Sequence, residues 1–351
     1  MLSSARPCAT IAALKVALDA TYSIGDQLTG VGVYSRELLH GLATQPGPWL
    51  WCYRSHRFFA SFRQPLPPGC SRRPLLENWV PRASLFHGLN QRLPAASLRR
   101  AAVTFHDLFV LTAGYSTPEF RTRFAAQARF AAQRADAVLA VSAFTASQLR
   151  DLLNVEPSRI TVTPHGIRFR QFPAVPRQSM VLCVGALQKR KNTARLVRAF
   201  GAMPQGWRLV LAGSHGFEAQ ETLDAISASP RRADITTTGF VTDNQLATLY
   251  AQASIFAFPS LDEGFGIPLL EAMMAQVPVI TSNRSALPEV AGDAALLVDP
   301  FQEEEIAEGL RRLAHDEPLR ATLIQKGIVR AALFRWEDTV QKTLRVYRQL
   351  S

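Results

Sequence analysis

The chain has 351 residues, 47% of them hydrophobic and 19% charged, with a net charge of +11. That balance excludes a disordered chain and gives apolar mass for the cores of two ordinary domains. No apolar run approaches the ~20 residues that span a bilayer, Met1–Leu14 lacks the basic start of a leader, and Cys8, Cys52, Cys70 and Cys183 form no C-x-x-C pair, so no membrane span, signal peptide or zinc site is expected and a reducing cytoplasm fits.

In chain order, the first half alternates short apolar runs with helical periodicity. Val16–Asp19 reads as a strand and Val33–Leu42 as a helix, with Thr29-Gly-Val-Gly-Val-Tyr34 turning between them. Trp49–Tyr53, Ser84–His87 and Ala102–Phe105 read as strands, the last ending in His106-Asp107. Pro118–Ala135 is helical, Ala137–Val141 is a strand, Ser142 caps a helix over Phe144–Leu153, and Ile160–Thr163 is the last strand of this half. Residues 171–179 are polar, with Pro173 and Pro176 and no periodicity, and read as a linker.

The second half restarts the pattern. Met180–Val184, Trp207–Ala212, Ile235–Thr238, Ser254–Phe258 and Val277–Thr281 read as strands. Thr193–Met203, Ala219–Ser229, Asp243–Ala253, Pro268–Ala275, Glu303–His315 and Glu337–Leu350 read as helices. Such alternation builds doubly wound parallel sheets. The expected architecture is α/β, two Rossmann-like domains facing across a cleft: residues 1–170, the linker 171–179, residues 180–336, and a terminal helix within 337–351.

The densest chemistry lies in Phe258-Pro-Ser-Leu-Asp-Glu-Gly-Phe-Gly-Ile-Pro-Leu-Leu-Glu271. A strand ended by Pro259, a glycine loop and a helix with Pro268 in its first turn place Gly264 and Gly266 at the carboxyl edge of a sheet, where such folds bind ligands. The amides of Gly264, Phe265, Gly266 and Ile267 at the helix start favour an anion. Glu263 and Glu271 cannot both face phosphate, but both can accept hydrogen bonds from hydroxyls, which sugars and riboses carry in pairs. One long ligand satisfies the set, with hydroxyls at each end and a pyrophosphate between them: a nucleotide sugar. The blander alternative is a loop acid plus an exposed helix glutamate. Against it stands Lys189-Arg190-Lys191, after the strand Met180–Val184 and its Gly185, a cationic run suited to phosphate that holds two of the chain's five lysines.

His106, at the end of a strand, can meet a sugar hydroxyl or simply cap the strand; His87 is a weaker candidate, and His165 and His215 read as turn residues. No H-E-x-x-H, G-x-S-x-G or Walker pattern supports a metalloprotease, serine hydrolase or P-loop reading. The charge is uneven: residues 1–172 hold 20 Arg and Lys against 9 Asp and Glu, the remainder 19 against 19, and residues 51–100 nine arginines and one glutamate. A basic half fits an anionic membrane surface or an acidic acceptor, although 34 arginines to 5 lysines also suits a genome bias. No stripe of interleaved aromatics or known module supports a nucleic-acid partner.

Taken together, Thr29–Glu37 (TGVGVYSRE), Val103–Leu108 (VTFHDL), Val141–Leu149, Val184–Asn192 (VGALQKRKN), Thr238–Asp243 (TGFVTD), Phe258–Pro300 (FPSLDEGFGIPLLEAM, then LPEVAGDAALLVDP) and the late FRWEDT resemble the retaining GT-B glycosyltransferases of family 4 (group 1) over nearly the whole chain. The resemblance implies that Glu263 contacts donor-sugar hydroxyls, Glu271 holds the ribose, and Arg190 and Lys191 neutralise the diphosphate leaving group. It implies that His106 binds the sugar or helps form the acceptor side, that Gly30 and Gly32 let an N-terminal loop close over the phosphates, that backbone near Val241 flanks the base, and that the last helix crosses back onto the N-terminal domain. It further implies no metal and no cofactor besides the nucleotide-sugar donor. Many members carry arginine directly after the strand glycine; Ala186 stands there in this chain, which shifts the phosphate charge onto Arg190 and Lys191.

The HDL, RKN and LPEVAGDAA segments look most like mannosyltransferases that use GDP-mannose. The implied activity is hexosyl transfer to a glycan or lipid-linked acceptor in surface polysaccharide or glycolipid assembly. The implied place is the cytoplasm, peripheral to the membrane through the basic half. A UDP-sugar donor is the alternative within the family. Outside this activity stand a sugar-nucleotide epimerase, a phosphorylase, and a degenerate partner subunit, the last weakened by the presence of Glu263, Glu271, Arg190, Lys191 and His106.

Overall fold

The structure is a computed structural model that describes residues 14–25, 28, 30–168 and 171–351. Thr29, Cys8 and the reading of residues 1–13 as lacking a leader lie outside the described residues. Two compact units are present: one takes the described residues up to Leu111 with Pro118–Gly166 and Arg335–Ser351, the other Thr112–Thr117 and Ile167–Phe334. No helix among the described residues is long and apolar enough to cross a membrane.

The first stretch of chain runs β1 (Val16–Asp19), α1 (Gly30–Ala43), β2 (Trp49–Arg54), α2 (Ser55–Phe58), β3 (Cys70–Leu75), β4 (Leu85–Gly88), β5 (Ala101–Phe105), α3 (Phe109–Thr112), α4 (Pro118–Arg134), β6 (Ala137–Ala140), α5 (Ala143–Leu153) and β7 (Ile160–Val162). Its seven strands are parallel in the order β3-β2-β1-β4-β5-β6-β7. Period-two alternation divides each strand between two cores. Val16 and Leu18 join Trp49, Trp51 and Leu85 on one face, while Ala17 joins Leu50, Phe86 and Val103 on the other. With both faces buried, the strands read as continuous apolar runs. Ser142 caps α5 by accepting from the Thr145 amide at 2.9 Å, as expected from the sequence.

The second stretch runs β8 (Met180–Val184), α6 (Thr193–Phe200), β9 (Arg208–Ala212), α7 (Gln220–Ala228), β10 (Ile235–Gly239), α8 (Asp243–Gln252), β11 (Ile255–Phe258), α9 (Ile267–Met274), β12 (Val279–Ser282), α10 (Leu287–Ala291), β13 (Ala295–Val298), α11 (Glu303–His315), α12 (Glu317–Ala331) and α13 (Trp336–Gln349). Its six parallel strands follow β10-β9-β8-β11-β12-β13, the doubly wound order with its reversal between β8 and β11. α8 opens with a capping box in which Thr242 and Gln245 satisfy each other's amides.

Several elements escape the sequence pattern. β3 holds two arginines and Pro74, and survives because it is an edge strand, where a missing amide donor is tolerated. β13 is likewise an edge strand. α12 buries only Leu323, Gly327 and Ala331, a stripe too narrow to register as amphipathic. The first helix starts at Gly30, three residues before the expected Val33.

The turn after β8 continues the pairing with the segment after β9: Gly185 N–H donates to Ala212 O at 2.9 Å and Leu187 N–H to Ser214 O at 2.8 Å. Gly213 makes this approach possible, because a Cβ there would sit 2.0 Å from the Gly185 carbonyl oxygen.

The first unit buries a ring cluster at the carboxyl ends of β4 and β5. His87 meets the Tyr347 hydroxyl at 2.6 Å through Nδ1 and the Thr104 hydroxyl at 2.9 Å through Nε2. His106 and His165 stack with centroids 5.4 Å apart, and Tyr34 stands edge-on to both. Burial pushes His87 down to about 3 and His106 to about 4, and His165 well below its usual value.

Gly213→Ala is expected to destabilise the protein by about 2 to 3 kcal/mol, read as a lowered denaturation midpoint; an unchanged midpoint contradicts the packing described. The histidine rings have folded values below the ordinary 6.5, so their contribution to stability is complete above that pH and is lost as pH falls toward the folded values. Each ring contributes up to about 1.4 kcal/mol per pH unit in that window. Denaturant melts of the first unit's transition from about pH 7.5 to about pH 5 should show a falling midpoint, and a flat profile contradicts three buried neutral histidines.

Candidate functional site

Open α/β sheets bind ligands outside the carboxyl ends of the strands where the order reverses. In the second unit those strands are β8 and β11, and the loops that leave them are 185–192 and 259–266. The first closes in a tight turn, Lys189–Lys191, that ends on Asn192 in the left-handed conformation at φ 59°. Asn192 Nδ2 donates to Pro259 O at 3.0 Å and Pro300 O at 2.7 Å, and Leu261 N–H donates to Arg190 O at 2.8 Å. The two loops are therefore sewn together by one backbone hydrogen bond and by the Asn192 side chain.

The centre of the seam is an ion-pair cluster. Lys191 Nζ lies 2.6 Å from Glu263 Oε1, and Arg190 Nη1 lies 2.8 Å from Glu263 Oε2 and 2.6 Å from Asp262 O. The three side chains are only 10–12% exposed. Lys191 Nζ also stands 4.5 Å above the Phe258 ring, a cation–π position. Ser285 fixes the loop by accepting from Glu263 N–H at 3.1 Å. Burial alone would raise the Glu263 carboxyl, but Arg190 and Lys191 outweigh it and hold it at about 2. Burial lowers Lys191, with Glu263 opposing that shift.

Asp262 differs from its neighbour. Its Oδ2 accepts from the Thr112 hydroxyl at 3.2 Å, and Oδ1 is buried with no hydrogen-bond partner. Burial, then the adjacent Glu263 charge, push it up to about 6 against the pull of Arg190. Adjacent carboxylates with separated proton affinities are a signature of functional sites.

α9 begins directly after this seam. Gly266, at φ 114°, is its first boundary residue and offers no side-chain cap; a Cβ there would also meet Leu287 Cδ2 at 2.9 Å. The helix start at Ile267 thus presents backbone amides at the sheet edge. Phe265 turns its ring into the unit, edge-on to Phe334 at 5.6 Å, so the ring itself serves packing. Glu271 is buried one turn on and accepts from the Tyr250 hydroxyl at 3.0 Å, which removes the reading of an exposed helix glutamate. Val241 sits half-buried after edge strand β10, just ahead of the Thr242 cap.

The second unit therefore brings together Arg190, Lys191, Glu263 and the Gly264–Ile267 backbone, with Glu271 on the helix that follows. Gly30, Gly32 and His106 belong to the first unit. The expectation that Gly30 and Gly32 form a loop is corrected: both lie in the first turn of α1. At Gly32 a Cβ would meet Tyr22 O and Leu28 Cδ2, each at 2.9 Å, so the missing side chain serves packing of the helix start. His106 is 6% exposed, and its Nε2 donates to Leu89 O at 2.9 Å, leaving Nδ1 as the acceptor nitrogen. His87 is taken up by Tyr347 and Thr104.

Sequence reasoning missed Asp262, Asn192, Ser285 and Tyr250 as parts of the site. Asn192 carried a faint signal, adjoining the cationic run; Ser285 and Tyr250 carried none, because their partners lie 22 and 21 residues away.

Comparison with known proteins completes the picture. Residues 167–330 match the family model "Glycosyl transferases group 1" and residues 28–171 match "Glycosyltransferase Family 4". The chain is 32% identical over 284 residues to O-antigen chain mannosyltransferase B of Escherichia coli, covering 76% of this chain and 74% of that protein. It is 27% identical over 238 residues to the serotype-specific mannosyltransferase WbdA of Escherichia coli, of whose length it spans 29%. Among solved structures, a sucrose-phosphate synthase from Thermosynechococcus elongatus superposes with a TM-score of 0.79 at 23% identity, covering 95% of this chain and 98% of that one, a likeness of fold. The chain belongs to the family 4 (group 1) glycosyltransferases and has their two-domain GT-B fold.

Proposed function

We propose that this glycosyltransferase moves a mannosyl residue from GDP-mannose, with retention of configuration, to a glycan or lipid-linked acceptor in surface polysaccharide assembly. The observation that carries the reading is the buried Arg190–Glu263–Lys191 cluster beside an uncapped helix start at the switch point of the second sheet. The O-antigen mannosyltransferase relative at 32% identity supports mannose as the sugar.

In this reading the anomeric C–O bond to phosphate breaks and its electron pair leaves on the diphosphate. Arg190, Lys191 and the amides of Gly264 to Ile267 stabilise that charge, and electrostatic stabilisation of this kind contributes most in such steps. These cations and amides supply the positive field, with no metal or further cofactor required. Glu263 turns to the hydroxyls of the sugar, and Glu271, braced by Tyr250, accepts from the ribose. Backbone at Val241 flanks the base. In the first unit, His106 Nδ1 is the ring nitrogen left to accept from an acceptor hydroxyl. The acceptor oxygen forms the new bond on the face the diphosphate leaves, and its proton departs with the diphosphate. The excess of 20 basic over 9 acidic residues in 1–172 suits an acceptor held at the anionic inner face of a membrane.

Calorimetry with GDP and UDP tests the donor. GDP is expected to bind at least about tenfold tighter than UDP, and Glu271→Ala to weaken it by about 10- to 100-fold. A preference for UDP overturns GDP-mannose and leaves the transferase; binding of neither nucleotide overturns the proposed site.

A further inference from the structure

The first unit displays an aromatic wedge that its fold does not use. After β2 the chain turns through α2 and a tight turn at Phe59–Arg63, together Ser55-His-Arg-Phe-Phe-Ala-Ser-Phe-Arg63. Phe58 packs against the core of the unit and anchors the segment. Phe59 is 83% exposed and Phe62 61% exposed. Both rings stand edge-on to Phe58, at 5.7 and 5.5 Å, so the three form one cluster with two rings outward. Arg72 of β3 fixes its far side: the guanidinium lies 4.6 Å over the Phe62 ring while Nη2 donates to Ser61 O at 2.9 Å and Gln64 O at 2.7 Å. Arg57 and Arg63 are exposed within the same segment.

Charge decides what such a wedge can meet. Residues 51–100 carry nine arginines and one glutamate, and that Glu77 is paired with Arg54 at 2.9 Å. A second copy meeting this face through a two-fold axis would set basic against basic. An anionic lipid surface supplies both missing partners: phosphates for the guanidinium groups and an acyl boundary for the rings.

We propose that Phe59 and Phe62 insert at the surface of an anionic bilayer while Arg57 and Arg63 bind lipid phosphates and Arg72 holds the loop in shape, which anchors the first unit to the membrane. The proposal rests on the reading that the acceptor is lipid-linked, and it gives that reading a specific docking surface.

The test is co-sedimentation with phosphatidylcholine vesicles containing about one third phosphatidylglycerol, against pure phosphatidylcholine. The full chain is expected to bind the anionic vesicles, to release as salt rises, and to bind the neutral ones weakly. Phe59→Ser with Phe62→Ser should lower partitioning at least about tenfold, and Arg57→Gln with Arg63→Gln by about the same factor. Both variants should keep the nucleotide affinity of the parent chain, since neither pair belongs to the unit that holds the ion-pair cluster. Vesicle binding that survives the phenylalanine changes, or no binding by the parent chain, overturns the anchor. So does self-association in the ultracentrifuge abolished by the same phenylalanine changes, which would assign the wedge to a second copy. Vesicle binding lost with the phenylalanines in a chain that binds neither GDP nor UDP supports the anchor and overturns the proposed nucleotide site instead.

Discussion

One carboxylate held between two cations organises the second unit. Glu263 joins Arg190 and Lys191 at 2.8 and 2.6 Å, and with them the loops that leave β8 and β11. Three charges that are nearly nine-tenths buried lose several kcal/mol of hydration each, and replacing such a cluster by apolar side chains is often no less stable. Its presence at a strand-end crevice therefore points to chemistry more than to cohesion. The cluster leaves a net charge of one plus, beside the uncapped start of α9. Glu263 is held at about 2 and is ionised throughout the physiological range, while Asp262 beside it is pushed up to about 6. Adjacent residues of one loop thus present two different carboxyls.

Topology delivers this arrangement. Both sheets reverse order once, between β1 and β4 in the first and between β8 and β11 in the second. The strands carry the apolar residues, so the polar groups fall at the carboxyl ends and in the loops beyond them. Close backbone packing fixes their position. Gly213 allows the turn after β9 to touch Gly185, and the Asn192 side chain bridges to Pro259 and Pro300. The first unit follows the same plan with a different content, a cluster of neutral buried rings around His87, His106 and His165.

Much of this was legible in the sequence because it rests on local pattern. Fully buried parallel strands are unbroken apolar runs, and Ser142, Pro268 and the acids that open α11 mark helix starts. The glutamates, the cationic run and the glycines stand in short segments, so their candidacy could be read directly. What could not be read depends on residues distant in the chain or on sheet position. Pro74 argues against a strand until β3 is known to be an edge. The glycines at 30 and 32 look like a loop because glycine is a poor helix former, yet close packing of the Gly32 position on Tyr22 selects a helix start. Tyr250 beneath Glu271, Ser285 beneath Glu263 and Thr112 beside Asp262 are tertiary pairings with no local signature.

The proposed division of labour makes Glu263 a partner of the sugar and the cations partners of the diphosphate, so the two functions are separable. The most direct measurement is GDP affinity and transfer turnover in Glu263→Gln, with folding checked by thermal unfolding. Releasing Arg190 and Lys191 from their carboxylate should leave GDP binding as tight as in the parent chain or tighter, while turnover falls by about 100-fold or more. Unchanged turnover, or GDP binding lost in step with it, would contradict the central role assigned to this cluster.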